Sequence, residues 1–363
     1  MIKKISFLVL LSFLLQSLVS VLNATVIPAN HKQVLKGLSN YNWVFTKDYI
    51  MALGNGASIR LKFKGTKQVM LKVATDHMSF KSPERFPIIA WSVNGGTIKT
   101  HQIAANENLV LLSSGIDDPE IDIYVNGTSS FENRFVGDVP ENSLKITGFV
   151  VDKKGTVESA NKSKKVWLDI GDSIMAGDAA AYTEGQGRPK DDQWAASDDA
   201  RASYGYLLAK HYGYCEARIA FGGNNWGGGL AKVPDLKALI DYKTSTISRL
   251  HKKRLDPVPD VILINLGENG APAIKDITGA LEQIRMRVKS STKIIVMVPV
   301  SGRANAEVSH AFKVYQHTSK DENVFLIDLG KITFATADGQ HPTAGGHQSI
   351  YEAALPHLDE ILK

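Results

Sequence analysis

Val166-Trp167-Leu168-Asp169-Ile170-Gly171-Asp172-Ser173 is a mostly apolar run that ends on a glycine and two small polar residues. Its apolar positions do not alternate with polar ones, which is the pattern of a strand covered on both faces, as in a parallel sheet. Four further runs of this kind follow at Ala217–Phe221, Val261–Leu266, Ile294–Val298 and Val324–Ile327. Helical periodicity fills the gaps at Ser203–Tyr212, Leu236–Leu250, Ile274–Lys289 and Ala304–Thr318, and again from Thr343 to Leu362. Strands alternating with helices predict a parallel sheet sandwiched between helical layers. In such sheets reactive groups gather at the carboxyl ends of the strands. Ser173, the glycine-rich loop from Gly222 and Asn269 all follow predicted strand ends.

A second short motif, Asp338-Gly339-Gln340-His341-Pro342, stands just before the last helix. A serine hydroxyl is a poor nucleophile until a base takes its proton. That base works well when a carboxylate fixes its tautomer and stabilises the imidazolium. Ser173, His341 and Asp338 supply the three parts.

The N-terminal part has a different rhythm. From about Leu38 to Val157 the apolar residues alternate, as in Ile59-Arg60-Leu61-Lys62-Phe63, Ile121-Asp122-Ile123-Tyr124-Val125 and Leu144-Lys145-Ile146-Thr147. Asn94-Gly95-Gly96 and Asn126-Gly127 read as turns between such runs. Short alternating strands at this spacing predict an antiparallel β-sandwich. The polar stretch Asp152 to Lys165 reads as the boundary, giving a β-domain over 25–160 and an α/β domain over 161–363.

Residues 1–24 are set apart. Lys3 and Lys4 precede an uncharged apolar core from Ile5 to Leu15, with small Ala24 placed for cleavage, the layout of a secretory signal peptide. The expected location is secreted or periplasmic, with no membrane association after cleavage. A net charge of +5, two units of it from those lysines, does not suggest nucleic-acid binding. The single Cys215 forms no internal disulfide and reads as a small core residue. No Cys pair or His-x-x-x-His supports a metal, and no cofactor is expected.

Taken with Asn224-Asn225-Trp226 and Gly267-Glu268-Asn269-Gly270, the two motifs give four segments in order over about residues 160–363. In this the chain resembles the SGNH (GDSL-type) hydrolase superfamily. The resemblance implies a flavodoxin-like α/β/α domain with Ser173 as nucleophile, His341 as base and then acid, and Asp338 as its orienting carboxylate. It also implies an oxyanion hole from the Ser173 N–H, the Asn269 amide and a backbone donor at Gly223 or Asn225. Gly270 stands where the family has aspartate. With a β-domain in front, jelly-roll-like by comparison, the chain resembles family 2 carbohydrate esterases. That resemblance implies removal of O-acetyl groups from a polysaccharide or oligosaccharide by a monomeric enzyme. A general acyl esterase or lipase, and a carbohydrate-binding protein with an inactive hydrolase domain, are the alternatives. The insertion from Asp178 to Arg201, carrying Gly185, Gly187, Pro189 and Trp194, is expected to form a lid or rim. Trp194 and Trp226 are candidate sugar contacts. His347 is expected to face solvent, as are His211, His310 and His317.

Overall fold

The computed structural model describes residues 24–78, 82–129, 134–135, 140–141, 143–160, 165–190, 193–230, 233–241, 250–251, 254–255 and 257–363. The signal-peptide reading therefore falls almost wholly outside the described residues, as does most of the expected helix Leu236–Leu250.

The alternating half forms two antiparallel sheets and one short helix, α1 (Lys32–Gly37). One contains β1 (Ala24–Pro28), β2 (Trp43–Phe45), β3 (Ile50–Ala52), β5 (Gln68–Ala74), β8 (Leu109–Ser114) and β10 (Lys145–Asp152). The other runs in the order β11-β4-β9-β6-β7, from β4 (Ser58–Lys64), β6 (Ile88–Val93), β7 (Lys99–Gln102), β9 (Glu120–Gly127) and β11 (Thr156–Ser159). Side chains on a strand alternate between faces, so Ile59, Leu61 and Phe63 of β4 point the same way as Ile121, Ile123 and Val125 of β9. They meet Val69, Leu71, Phe149 and Val151 of the first sheet in one core. Phe63 and Phe149 touch across the sandwich, with ring centroids 5.5 Å apart. Truncating such a ring to alanine costs about 3–5 kcal/mol.

Two sequence readings change here. The polar stretch after Asp152 is not all linker, because β11 pairs with β4 from Thr156↔Lys64 to Ser159↔Leu61. Asn126-Gly127 is not a turn but the end of β9, where Gly127 lies against the backbone of Ala195 and a Cβ would collide with its carbonyl oxygen. That glycine permits the close approach of the two halves.

The second half places β12 (Val166–Gly171), β13 (Cys215–Ala220), β14 (Val261–Asn265), β15 (Lys293–Met297) and β16 (Val324–Ile327) in one parallel sheet of order β13-β12-β14-β15-β16. Numbered within the sheet this is 2-1-3-4-5, the flavodoxin-like order. Every residue of β12 and β14 is buried. Leu168 and Ile170 pack on one face with Leu236 of α5 (Leu236–Ile240) and Leu281 and Ile284 of α6 (Ile274–Arg285), together with Phe312 of α7 (Asn305–Ser319). Trp167 packs on the other with Leu208 of α4 (Tyr204–His211) and Leu358 of α8 (Ala344–Leu362). The chain reverses strand order beside β12, and the crevice at its carboxyl end is where this fold binds ligands.

Candidate active site

Asp172 follows β12 in an extended conformation and caps the one-turn helix α2 (Ser173–Ala176), its Oδ1 accepting the Ile174 N–H at 3.0 Å. Capping turns the chain sharply, so Ser173 becomes the first residue of α2 and stands at the sheet's rim. Arg218 on the neighbouring strand is fully buried and donates to the Ala176 carbonyl at 3.2 Å, tying down the far end of α2.

His341 arrives on a tight loop built by Asp338. The Oδ1 of Asp338 accepts the backbone N–H groups of Gln340 (3.0 Å) and His341 (2.8 Å), a side-chain turn that aspartate favours. Its Oδ2 lies 2.8 Å from His341 Nδ1, and His341 Nε2 lies 3.0 Å from Ser173 Oγ. A carboxylate at Nδ1 requires the proton there, which leaves Nε2 to accept from the serine hydroxyl. Burial alone would lower the pKa of His341. The hydrogen bond that His341 donates to Asp338, with the charges of Asp178 and Asp338, outweighs it and raises the value above the ordinary 6.5. Burial alone would raise Asp338, but the His341 ring and the two N–H donors hold it far below the usual carboxylate range.

The donor side is assembled from loops. Gly223 lines the pocket and has φ of +75°, and neither its N–H nor that of Ser173 bonds to another described residue. The N–H of Asn225 instead donates to Asn224 Oδ1 at 2.9 Å, and its side chain holds Gly270 O at 3.0 Å. Of the two positions left open by the sequence, Gly223 is the one with a free donor at the pocket, and Asn225 is not. Asn269 reaches the pocket, but its amide already donates to Asn224 O (2.9 Å) and lies 3.3 Å from Asp172 Oδ2. Gly270 takes φ of +124°, a conformation that aspartate would resist. Burial, then the nearby charge of Glu268, pushes Asp172 up to about 8, so its carboxyl is mostly protonated at neutral pH.

The stretch 178–201 is a rim anchored to the His341 loop. Gly185 N donates to Thr336 O at 3.0 Å and Gly187 N to Ala337 O at 2.8 Å. It carries α3 (Trp194–Ser197). Trp194 is buried, edge-on to His341 at 5.6 Å between ring centroids. Trp226, by contrast, is no pocket residue: it is buried in the core and donates to Leu266 O at 3.0 Å. His347 is also corrected. It is fully buried beneath Tyr204, and burial, with Arg218 nearby, pushes it down to about 3. Cys215 is half-buried at the start of β13 rather than in the core.

Sequence reasoning missed Asp178, Glu268, Arg188 and Arg303 in the lining of a pocket of about 340 Å³ above Ser173. Arg303 follows β15, so the strand-end rule could have found it. Asp178 is held from the β-domain. Asn55 donates to Asp198 Oδ2 at 2.9 Å and lies 3.5 Å from Asp178 Oδ1. Thr128 donates to Asn55 Oδ1 at 2.7 Å, and the buried Arg134 donates to Thr128 Oγ1 at 2.8 Å.

These parts set an Asp338–His341–Ser173 contact chain at the switch point of a flavodoxin-like sheet. The model of the GDSL-like lipase/acylhydrolase family matches residues 169–354. That is just over half of the chain, and the chain belongs to this family of carboxylic ester hydrolases. Among solved structures, a family two carbohydrate esterase from Cellvibrio japonicus shares 15% identity at a TM-score of 0.73, covering 93% of this chain and 98% of that one. An acetyl xylan esterase from the rumen bacterium Butyrivibrio proteoclasticus shares 16% identity at 0.70, covering 93% and 98%. A family two carbohydrate esterase from Clostridium thermocellum, in complex with cellohexaose, shares 16% identity at 0.70, covering 90% and 98%. At these identities the likeness is one of fold, and it extends over both halves. No curated protein matches the chain by sequence.

Proposed function

We propose that this chain is an exported serine esterase that removes O-acetyl groups from a polysaccharide or oligosaccharide. The single observation that carries the reading is the continuous contact from Asp338 through His341 to Ser173, at 2.8 and 3.0 Å. Ser173 Oγ attacks the acyl carbonyl carbon while its proton passes to His341 Nε2. The imidazolium then gives that proton to the departing sugar oxygen, leaving the acyl group on Ser173. Water, deprotonated by His341, attacks the acyl-enzyme and releases acetate and the free serine. Negative charge on the tetrahedral oxygen meets the Ser173 and Gly223 N–H groups. Asn269 joins them by giving up one of its two present acceptors.

A short acyl group suits a pocket of about 340 Å³ in which Leu230 and Trp194 are the apolar side chains among the described lining residues. The likeness in fold to carbohydrate esterases over the whole chain supports a sugar as the alcohol. The leader-like segment before Ala24 supports export. The test is acetate release from acetylated xylan, glucomannan and pectin, with Ser173→Ala as control. We expect release by the wild type and a loss of about 10⁴-fold or more in the variant. Release that survives the substitution sinks the mechanism, and faster cleavage of long-chain than of short-chain nitrophenyl esters sinks the acetyl assignment.

A further inference from the structure

We infer that the rim of this pocket selects an oxyanion-bearing glycan, with Arg188 and Arg303 gripping charged groups on sugars that flank the acylated one. The inference rests on the esterase reading and adds the substrate's charge. Both arginines line the pocket over Ser173, and both are exposed. The Arg188 guanidinium lies 5.6 Å from the centre of the Trp194 ring, whose edge meets His341. Arg303 is held by its Nη1, which donates at 3.3 Å to the carbonyl oxygen of Glu268, the residue before Asn269. One guanidinium thus flanks the base and the other the oxyanion donors.

Among the described residues, neither guanidinium is paired with a carboxylate. The two carboxylates in the same lining do not offset them at the surface. Glu268 is 2% exposed and accepts from Ser301, and Asp178 is 1% exposed and faces Asn55. The solvent-facing fixed charge of the lining is therefore two guanidiniums. A guanidinium fork matches a carboxylate or a sulfate through two parallel N–H donors. The cation–π contact with Trp194 and the bond to Glu268 O restrain both side chains before a ligand arrives, which lowers the ordering cost of binding. A neutral glycan would offer both forks only uncharged oxygen acceptors, with no opposite charge to pair.

The experiment compares kcat/KM of the whole protein on three polymers acetylated to the same degree: polygalacturonate, a sulfated xylan and neutral glucomannan. We expect the charged polymers to be favoured about fivefold to tenfold at low salt, the size two partly exposed charge pairs supply. The preference should sit in KM and fade near 0.5 M salt, where the Debye length falls to about 4 Å. Whichever charged polymer leads names the anion. The double variant Arg188→Gln/Arg303→Gln should bring the three substrates together, and Arg188→Glu/Arg303→Glu should invert the order. Equal kcat/KM for the wild type on all three polymers overturns the inference and leaves the esterase reading standing. So does an equal loss on all three in the double variant. Failure to hydrolyse any acetyl ester overturns both.

Discussion

The two sides of Ser173 are built on different principles. On the base side, one carboxylate does everything within four residues: Asp338 shapes its own loop with one oxygen and orients His341 with the other. On the donor side, three separate loops each contribute a group, and one of them, the Asn269 amide, is engaged elsewhere. A local turn holds its geometry by chain connectivity. An assembly of loops depends on cross-bonds such as Asn224 to Gly171 O at 2.9 Å and Asn225 to Gly270 O at 3.0 Å. The base side is thus already in contact, whereas under the proposed function the donor side still has to recruit the Asn269 amide.

Substitutions can break or sharpen this contrast. Asp338→Asn should have the largest effect among them, a fall of about 10³–10⁴ in kcat, because the amide can favour the wrong tautomer. A rate read across pH refines it. His341 must be neutral to act and its pKa is raised, so the wild type should lose activity on acidification with a midpoint above 6.5. In Asp338→Asn the imidazolium loses its partner, and the midpoint should fall. A midpoint that stays put would mean Asp338 does not control the base. Asn269→Ala should cost about 10²–10³ in kcat with little change in KM, if the amide turns to the oxyanion in the transition state. A loss below about threefold would show that the amide stays with Asn224 and only braces the loop. Asp172→Asn should be mildest, under about tenfold, since asparagine caps a helix as well as aspartate and the native carboxyl is mostly uncharged at pH 7. A loss as large as that of Asn269→Ala would instead mean that a charged Asp172 is needed.

The same contrast governs what the sequence revealed. Ser173, Asp338 and His341 were legible because short motifs at a strand end and before a helix carry their chemistry in side chains. The 2-1-3-4-5 sheet was legible as a class from unbroken apolar strands. The choice between Gly223 and Asn225 was not, because a backbone N–H leaves no mark in the residue type. His347 was misread as exposed: helical spacing gives its face, but only the packing of α8 on Tyr204 decides that the face is covered. Trp226 was misread because a glycine-rich loop looks open in one dimension, while this one folds back so that its indole reaches Leu266. Asp178 drew no notice because its surroundings come from a part of the chain more than a hundred residues away.

That distant origin has a consequence for how the molecule can change. Asn55, Thr128 and Arg134 belong to the β-domain, yet Asn55, braced by the other two, holds Asp198 and faces Asp178, whose charge reaches His341. Swapping the N-terminal half for another sandwich, or cutting it away, would strand two acids beside the chemistry. The halves are therefore not interchangeable cassettes. A recombinant hydrolase half would have to inherit these three foreign side chains, or invent substitutes for them, before its histidine titrated as the intact enzyme's does.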